Sequence, residues 1–330
     1  CDDKPEPIMH TVTFIYDNGT ENNIIEVEEG KSGYDVAMSI STSLAKACVA
    51  YKVNDVIYDL HREIPNGGDF TLIKKGDPDS YTVLNHSTSH LMAEAIHNLY
   101  PNAKFGFGPS IEEGFYYDVD FGDEKITDAN FAAIEKEMKK LAASGNPFVR
   151  KVVSKEEALE LFKDNPYKVE LIEGIEGDIS IYSQGKFFDL CAGPHLEKVS
   201  QIQNVKLLSV AGAYWRGDVK NKMLTRIYGT AYTKKADLEE RLEFLENIKL
   251  RDHNKIGREL EYFTTVDVIG QGLPLIMPKG TKVIQTMQRW IEDLEDNEWG
   301  YMRTKTPLMA KSDLYKISGH WDHYKDGMFV

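Results

Sequence analysis

Two pairs of potential ligand side chains with the same four-residue spacing lie far apart in the sequence: His86 with His90, and Cys191 with His195. Asn85 is a favourable N-cap residue, so we predict a helix that begins after it and presents both histidines on one face. The apolar face that would anchor this helix comprises Leu91, Met92, Ala95, Ile96 and Leu99. Imidazole nitrogen and thiolate sulfur are ligands that zinc prefers, so the four side chains together suggest a zinc hydrolase.

Each pair alone is weak evidence for a site. Two histidines four residues apart on a helix are at least as often a surface pair or a satisfied core contact. The Gly193-Pro194 sequence beside His195 predicts a constrained loop, which favours a positioned side chain over a random surface one. Taken together, the two pairs therefore favour a functional site.

The amino-terminal part of the chain has the pattern of a small sheet with a helix. Residues 8–30 alternate on either side of Asp17-Asn18-Gly19, whose glycine tolerates positive φ, so we predict a β-hairpin there. Gly33 to Ala47 is helix-like, Val49 to Leu60 predicts short strands, and Phe70 to Lys74 predicts another strand. This order predicts a ββαββ module.

The remainder of the chain divides at two places. Turn-forming residues at Asp77-Pro78-Asp79-Ser80 predict a linker, and a new unit begins near Tyr81. A capped amphipathic helix is predicted from Asp237 to about Ile256, with its leucine stripe in contact with a core. A third unit begins at Gly257 and contains a helix around Thr281 to Asp296. The length of 330 residues agrees with two or three domains.

The acidic composition restricts nucleic-acid binding to local surfaces. A formal net charge of −14 argues against nonspecific binding to a polyanion, because phosphate neutralisation needs clustered Lys and Arg. The best local candidate is Trp215 to Lys235, which contains six basic residues and one acid, although a solvated face explains this charge equally well. Three scattered cysteines and the lack of a long apolar run lead us to expect a cytoplasmic protein.

Several motifs in the middle of the chain resemble the editing domain of bacterial threonyl-tRNA synthetases. These motifs are Asn85 to His90, Gly108-Pro109, Gly114 to Asp118, Asp189 to His195, Ala211 to Asp218 and Asn221 to Ala231. The module before them is similar to TGS, a ubiquitin-like module at the front of these synthetases and in some GTPases and stringent-response enzymes. Related editing domains occur in alanyl-tRNA synthetases and freestanding deacylases. The TGS-like module, with Arg251 to Gly257, favours the threonyl branch.

The resemblance implies an α+β multidomain chain. A small β-grasp (ubiquitin-like) TGS domain would occupy residues 1–77, and a two-part α+β editing domain residues 81–235, with its second additional domain at about 187–235. A linker helix at 236–256 would lead to an incomplete class II antiparallel-sheet catalytic domain at 257–330. Thr281 to Asp296 and the segment from Trp299 look like the first class II motif, which usually builds a dimer interface.

The resemblance also implies a function. The full-length synthetase would ligate threonine to tRNA(Thr) using ATP, and this portion would hydrolyse mischarged Ser-tRNA(Thr). Serine lacks one methyl group of threonine, which is worth only about 1–3 kcal/mol of discrimination, so a second, hydrolytic site is needed. Two alternatives remain open at this point: a freestanding trans-editing deacylase and a non-catalytic tRNA-binding or regulatory module.

By the family's pattern, His86 and Lys168 would position and activate water and stabilise charge. Without the resemblance, Lys168 would be interpreted as a solvated surface lysine. His90, Asp189 and Cys191 would line the pocket, with Asp189 holding the substrate ammonium and Cys191 sensing the methyl group of threonine.

The remaining candidates would contact the RNA. Tyr117, Gly108 and His195 would hold the terminal adenosine or shape the pocket wall. The basic residues Arg216, Lys222 and Arg226 would bind the 3′ end of the tRNA.

The threonyl branch is expected to leave the set His86, His90, Cys191 and His195 without a metal, whereas its alanyl relatives hold zinc. Editing would then need no cofactor, and ATP, Mg²⁺ and one Zn²⁺ would serve the full-length enzyme mostly beyond residue 330. The expected partners are tRNA(Thr) and the threonine or serine ester on its 3′ end. The full-length protein would form a homodimer through its catalytic domain and would not contact a membrane.

Overall fold

The computed structural model describes residues 9–15, 22–65, 67–270 and 272–327. Its contacts divide the chain into two compact units, Cys1–Glu243 and Phe244–Val330.

The first part of the larger unit is a mixed five-stranded sheet with two short helices. Its elements are β1 (Met9–Ile15), β2 (Asn22–Glu28), α1 (Gly33–Ile40), α2 (Thr42–Ala47), β3 (Cys48–Val53), β4 (Val56–Asp59) and β5 (Gly68–Lys74). The strand order is β2-β1-β5-β3-β4, in which only β1 and β5 pair in parallel. The predicted β-grasp module is therefore confirmed, and the predicted Asp17-Asn18-Gly19 turn lies outside the described residues.

The helical region of this module is divided at Ser41. This residue has φ −164° and serves as both the C-cap of α1 and the N-cap of α2, where its hydroxyl accepts a hydrogen bond from the Leu44 amide. Both helices cover one side of the sheet, over a core that includes Tyr51 and Phe70. The other side of the sheet contributes Ile73 to the core of the next part.

A long buried helix, α3 (Pro78–Leu99), organises the second part of this unit. Every residue from Val83 to Ile96 is buried except His86, which is partly exposed. Around α3 lie a larger and a smaller antiparallel sheet, with orders β12-β13-β8-β6 and β11-β10-β9, and β7 pairs with β8 at the edge. The strands are β6 (Lys104–Phe105), β7 (Ser110–Ile111), β8 (Gly114–Asp120), β9 (Val149–Val153), β10 (Ile179–Gln184), β11 (Phe187–Leu190), β12 (Asn204–Tyr214) and β13 (Met223–Tyr232).

Three more helices complete this part of the unit: α4 (Phe131–Ser144), α5 (Lys155–Leu161) and α6 (Pro166–Glu173). Helix α4 packs on α3, and α5 and α6 pack beside the smaller sheet, whose core includes Ile172 and Ile181. Short 3₁₀ turns occupy Asp128–Asn130, Val199–Gln201 and Trp215–Gly217. Together with the β-grasp module, these elements confirm the predicted α+β class.

Two local predictions at the start of α3 are wrong. The predicted linker at residues 77–80 is the beginning of the helix, because Pro78 at the first helical position fits the φ of a helix and lacks an amide hydrogen that would need a partner. Asn85 is therefore not an N-cap. Its side-chain amide lies in the middle of α3, donates to the Tyr81 and Ala231 carbonyls and accepts from the Ala231 amide, which fastens the helix to β13.

The helix predicted from Asp237 is shorter than expected. Helix α7 (Lys235–Leu250) ends before α8 (His253–Glu259), which has its own N-cap at Asp252. Of the predicted leucine stripe, Leu238 is buried, whereas Ile248 is 49% exposed. Leu242 and Leu245 are half-buried, so the predicted burial of the stripe is complete at Leu238 and decreases towards the end of the helix.

The smaller unit contains a short hairpin and a long helix. The hairpin pairs β14 (Phe263–Thr264) with β15 (Leu275–Ile276). Helix α9 (Pro278–Asp293) confirms the helix predicted around Thr281 to Asp296, and it continues into a π-helical turn at Leu294–Glu298. Helices α10 (Ser312–Ile317) and α11 (His320–Tyr324) and a 3₁₀ turn at Lys325–Gly327 follow. Within the described residues, no helix has the length and apolar character needed to cross a membrane.

The buried carboxyl of Glu94 on α3 should make stability depend on pH. Burial, assisted by repulsion from Glu137, raises its pKa from 4.5 to about 7. The folded state thus holds this proton more tightly than the unfolded chain, so the contribution is complete below pH 4.5 and is lost as the pH rises through 7. We expect Glu94→Gln to remove up to roughly 3 kcal/mol of the fall in unfolding free energy between pH 5 and pH 8.

Urea denaturation at both pH values measures this difference. Glu160→Gln, a change at an exposed side chain, is the control and should behave as wild type. Equal pH dependence in Glu94→Gln and wild type would contradict the assignment.

Candidate functional site

The four predicted ligand residues converge in one cluster. Helix α3 carries His86 and His90, and the loop after β11 carries Cys191 and His195. One potential ligand atom from each residue lies within 4.8 Å of all the others. The Cys191 Sγ is 3.3 Å from His86 Nε2 and 3.2 Å from His195 Nε2. The sequence pattern therefore identified side chains that are neighbours in space.

The loop that carries Cys191 and His195 is tightly held. Gly193 has φ 80°, and a Cβ atom at this position would collide with the hydroxyl group of Tyr182. The Gly193 amide also donates to Cys191 Sγ at 3.2 Å. The loop is constrained, as the Gly193-Pro194 sequence predicted.

Hydrogen bonds fix the tautomers of two histidines. His86 Nδ1 is 3.1 Å from the Pro194 carbonyl, which can only accept, so Nδ1 carries the hydrogen. The Ser87 hydroxyl donates to the Val83 carbonyl and therefore accepts from His195 Nδ1 at 3.2 Å. Both imidazoles consequently present a bare Nε2 to Cys191 Sγ. This is the arrangement that a metal ligand or a general base requires.

Burial keeps the cluster neutral. Removal from water lowers the pKa of His86 to about 4 and lowers the pKa values of His90 and His195 well below 6.5. The same cause raises the pKa of the Cys191 thiol to about 12. Among the described residues, the buried His90 Nδ1 has no hydrogen-bond partner. Three neutral imidazoles and one sulfur could therefore hold a metal ion, and their chemistry suits zinc.

A buried ion pair adjoins the histidines. Lys168 Nζ lies 2.5 Å from Asp189 Oδ1 and 3.2 Å from the Tyr117 hydroxyl, which donates to Asp189 Oδ2. Lys168 is 1% exposed, so its interpretation as a solvated surface lysine is wrong. It is placed by α6, whose N-cap residue Asn165 accepts from the Lys168 amide. Tyr117 links the ion pair to the histidines, because its hydroxyl lies 3.2 Å from Lys168 Nζ and its ring centroid lies 6.5 Å from that of His90.

The β-grasp module reaches this cluster through Asp59, a residue that the sequence analysis did not single out. Asp59 Oδ1 accepts from the His195 amide at 2.6 Å, and Oδ2 accepts from the Tyr182 hydroxyl. The Tyr182 ring lies against His195, with 4.5 Å between ring centroids. No local pattern marks an aspartate at a strand end as a partner for a distant loop, so only the folded chain reveals this contact.

Gly108 allows a close approach to Tyr117. A Cβ at Gly108 would overlap the Tyr117 ring, and the Gly108 carbonyl accepts from the Ser89 hydroxyl at 2.7 Å. Gly108 and Tyr117 therefore belong to the wall around the buried ion pair, close to α3.

The three basic candidates for RNA binding all have acidic partners. Arg226 makes a two-bond contact with Asp118, Lys222 lies 2.7 Å from Asp120, and Arg216 lies 3.0 Å from Glu170. These acids lie outside Trp215 to Lys235, so the local positive charge read from the sequence is partly neutralised in the fold.

The fold and this cluster define a chain with two modules found in aminoacyl-tRNA synthetases. The family described as the TGS domain matches residues 20–74, and the family described as the threonyl and alanyl tRNA synthetase second additional domain matches residues 179–228. The second match contains Asp189, Cys191 and His195.

The curated relatives that this chain matches over most of its length are threonine–tRNA ligases. The threonine–tRNA ligase of Clostridium botulinum (strain Eklund 17B / Type B) is 51% identical over 313 residues, which are 94% of this chain and 48% of that ligase. The ligase of Acholeplasma laidlawii (strain PG-8A) is 48% identical over 322 residues, 97% of this chain and 49% of that ligase. The ligase of Enterococcus faecalis (strain ATCC 700802 / V583) is 49% identical over 304 residues, 92% of this chain and 47% of that ligase. The chain is thus a homologue of the threonyl-tRNA synthetases, as predicted, and it spans about half the length of the curated relatives it matches.

Replacing only one partner of the buried Lys168–Asp189 ion pair should strongly lower the free energy of unfolding. Lys168→Met leaves a buried carboxylate without its cation, so we expect the free energy of unfolding to fall by about 3–5 kcal/mol. The double change Lys168→Met/Asp189→Leu removes both charges and should cost less than the single change. Urea denaturation of the three proteins measures the difference.

Lys151→Met is the matched control, because Lys151 pairs with Glu157 at an exposed position. It should change the free energy of unfolding by less than about 1 kcal/mol. A Lys168→Met protein as stable as this control would contradict the buried-pair assignment.

Proposed function

We propose that the cluster around His86 and Lys168 hydrolyses the ester bond of Ser-tRNA(Thr). The observation that supports this most directly is the bare Nε2 of a neutral, partly exposed His86 in a cluster that also contains a buried ammonium group. Ester hydrolysis needs a base for the attacking water and a positive group for the developing oxyanion. These two side chains supply both.

In this mechanism the neutral imidazole of His86 takes a proton from water as its oxygen attacks the ester carbonyl carbon. The ammonium group of Lys168 stabilises the negative charge that develops on the carbonyl oxygen. The bond to the ribose oxygen then breaks, and His86 returns the proton to that oxygen, which releases serine and the uncharged RNA. Asp189, held in place by Lys168 and Tyr117, binds the ammonium group of the substrate.

Selectivity for serine follows from size. His90 and Cys191 line the space beside His86, where the tightly held loop leaves Cys191 little freedom to retreat from an added methyl group. Rejection of the threonine ester by about 1–3 kcal/mol would add to the discrimination already achieved during synthesis.

We further propose that the cluster works without a metal ion. The donor atoms fit zinc, but the cation needed at this place is already supplied by Lys168, whose charge acts on His90. A divalent ion next to this ammonium group would be repelled in a medium of low dielectric constant.

The wider assignments are also proposals. We propose four domains with the boundaries 1–77, 81–235, 236–256 and 257–330. We propose tRNA(Thr) as the partner. The residues proposed to contact its 3′ end are Tyr117, Gly108, His195, Arg216, Lys222 and Arg226. ATP, Mg²⁺, one Zn²⁺ and homodimerisation would belong to threonine ligation by a full-length enzyme. A freestanding deacylase is disfavoured, because the similarity to ligases covers 94% of the chain.

Deacylation of Ser-tRNA(Thr) by the purified chain tests the proposal. We expect His86→Ala to lower the hydrolysis rate by about 100-fold or more, the usual contribution of a positioned base. His97→Ala is the matched control, since His97 is an exposed histidine on the same helix, and should keep wild-type activity. Full activity in His86→Ala would refute the assignment, and tRNA binding without hydrolysis by wild type would favour the non-catalytic module.

Elemental analysis of active protein purified without added metal tests the second proposal. We expect no stoichiometric zinc and no loss of hydrolysis after treatment with a chelator. One equivalent of zinc that is lost in Cys191→Ser together with activity would replace this mechanism by a metal-assisted one.

A further inference from the structure

A cleft of about 450 Å³ lies between the β-grasp module and the smaller antiparallel sheet, within the larger unit. Its wall includes Arg62 from the turn after β4, Arg150 from β9, and the aromatic rings of Phe148, Tyr182 and His195. His195 lines the cleft and also belongs to the cluster described above, so the cleft and the candidate site share this side chain as a wall. The mechanism proposed for ester hydrolysis does not use either arginine.

The two arginines are the unusual feature of this cleft. Among the described residues, no carboxylate oxygen lies within 4.0 Å of either guanidinium group, and the buried Arg150 Nε has no hydrogen-bond partner. The nearby Asp59 carboxylate is already used by the His195 amide and the Tyr182 hydroxyl. By contrast, Arg226 and Arg216 in the same unit are paired with acids. Glu197, the other carboxylate of the wall, lies 4.0 Å from His61 Nε2. Both guanidinium groups thus lie near Asp59 and Glu197 without a close ion pair among the described residues, and their N–H groups can donate to a ligand.

The aromatic rings indicate which anion would fit. Phe148 stacks on His195 with 4.9 Å between ring centroids and 6° between planes, and Arg62 lies 5.0 Å above the Tyr58 ring. Tyr182 and His195 are buried, and of the three rings in the wall Phe148 is the one that is partly exposed and can contact a base. Guanidinium groups that bind phosphate next to an accessible aromatic ring are the combination that proteins use for single-stranded RNA. The chain carries a net charge of −14, so an RNA strand would be attracted only where acids are absent or engaged.

We propose that this cleft binds a phosphodiester group of the single-stranded 3′ end of an RNA, with Arg62 and Arg150 as its ligands. The strand is thereby held next to His195. The identity of that RNA as an aminoacylated tRNA rests on the function proposed above, but the binding of a phosphodiester does not.

The test uses the double variant Arg62→Gln/Arg150→Gln of the whole chain. Fluorescence anisotropy with a labelled single-stranded RNA tetranucleotide that carries no amino acid measures the affinity at several salt concentrations. We expect at least about a 10-fold loss of affinity and a decrease of about 0.7 in the steepness of the salt dependence, since the two arginines neutralise one phosphate and each neutralised phosphate of a single strand contributes about 0.7. With Ser-tRNA(Thr), KM should rise by a similar factor while kcat changes little.

Lys206→Gln/Lys163→Gln is the matched control, because it removes two positive charges at ion-paired positions that do not line the cleft. It should bind the tetranucleotide as wild type does. Equal affinity and equal salt dependence in the arginine variant and wild type would overturn the inference. Competition by inorganic phosphate as effective as that by the tetranucleotide would also overturn it, because it would show a simple ion site.

The two proposals fail in different ways. If neither wild type nor the arginine variant hydrolyses Ser-tRNA(Thr) but the arginine variant still loses RNA affinity, the proposed function is wrong and the proposed RNA cleft stands. If hydrolysis depends on His86 but the arginine variant retains wild-type KM and RNA affinity, the proposed function stands and the cleft does not bind RNA.

Discussion

The polar side chains of a helix that is buried on nearly every side need hydrogen-bond partners, and this requirement fixes the rotation of α3 about its axis. Ser87 and Thr88 donate to carbonyls one turn earlier, and Ser89 bridges to Gly108. Asn85 makes hydrogen bonds to β13 in both directions. The bonds of Ser87 and Thr88 stay within the helix, but a rotation of α3 would break those to Gly108 and Ala231 inside the core, where an unpaired polar group costs about 1–3 kcal/mol. The directions of His86 and His90 thus follow from the core rather than from the site itself.

The chemistry of the cluster is a consequence of the same burial. Imidazoles that are withdrawn from water lose protons readily, and the Cys191 thiol keeps its own. Lys168 remains buried because Asp189 compensates its charge and Tyr117 adds a hydrogen bond to each partner. Neutral bases and a charged ammonium group therefore coexist within one small volume, as the proposed ester hydrolysis requires.

The spacing of residues along the chain predicted part of this arrangement. His86 with His90 and Cys191 with His195 could be read from sequence, because four-residue spacing and a Gly-Pro turn are local features. Lys168 was recognisable only through the family resemblance, since nothing near it in sequence indicates burial. Asn85 was assigned to the wrong position because its preference for helix starts is weaker than the signal from Pro78 at the true start. Asp59 could not be predicted, because its role depends on a contact between two modules.

In this acidic chain, ion pairs formed in the fold decide which basic side chains can bind an anion, and clustering in the sequence does not. The basic stretch from Trp215 to Lys235 looks like an RNA surface in sequence, yet Arg216, Lys222 and Arg226 each meet a carboxylate from another element. Arg62 is next to Glu63 in the sequence and Arg150 lies in a short basic segment with Lys151 and Lys155, and among the described residues neither arginine has a carboxylate oxygen within 4.0 Å. Because an ion pair must be broken before its cation can bind a phosphate at full strength, unpaired arginines beside a cavity are the better guide to where an RNA strand binds.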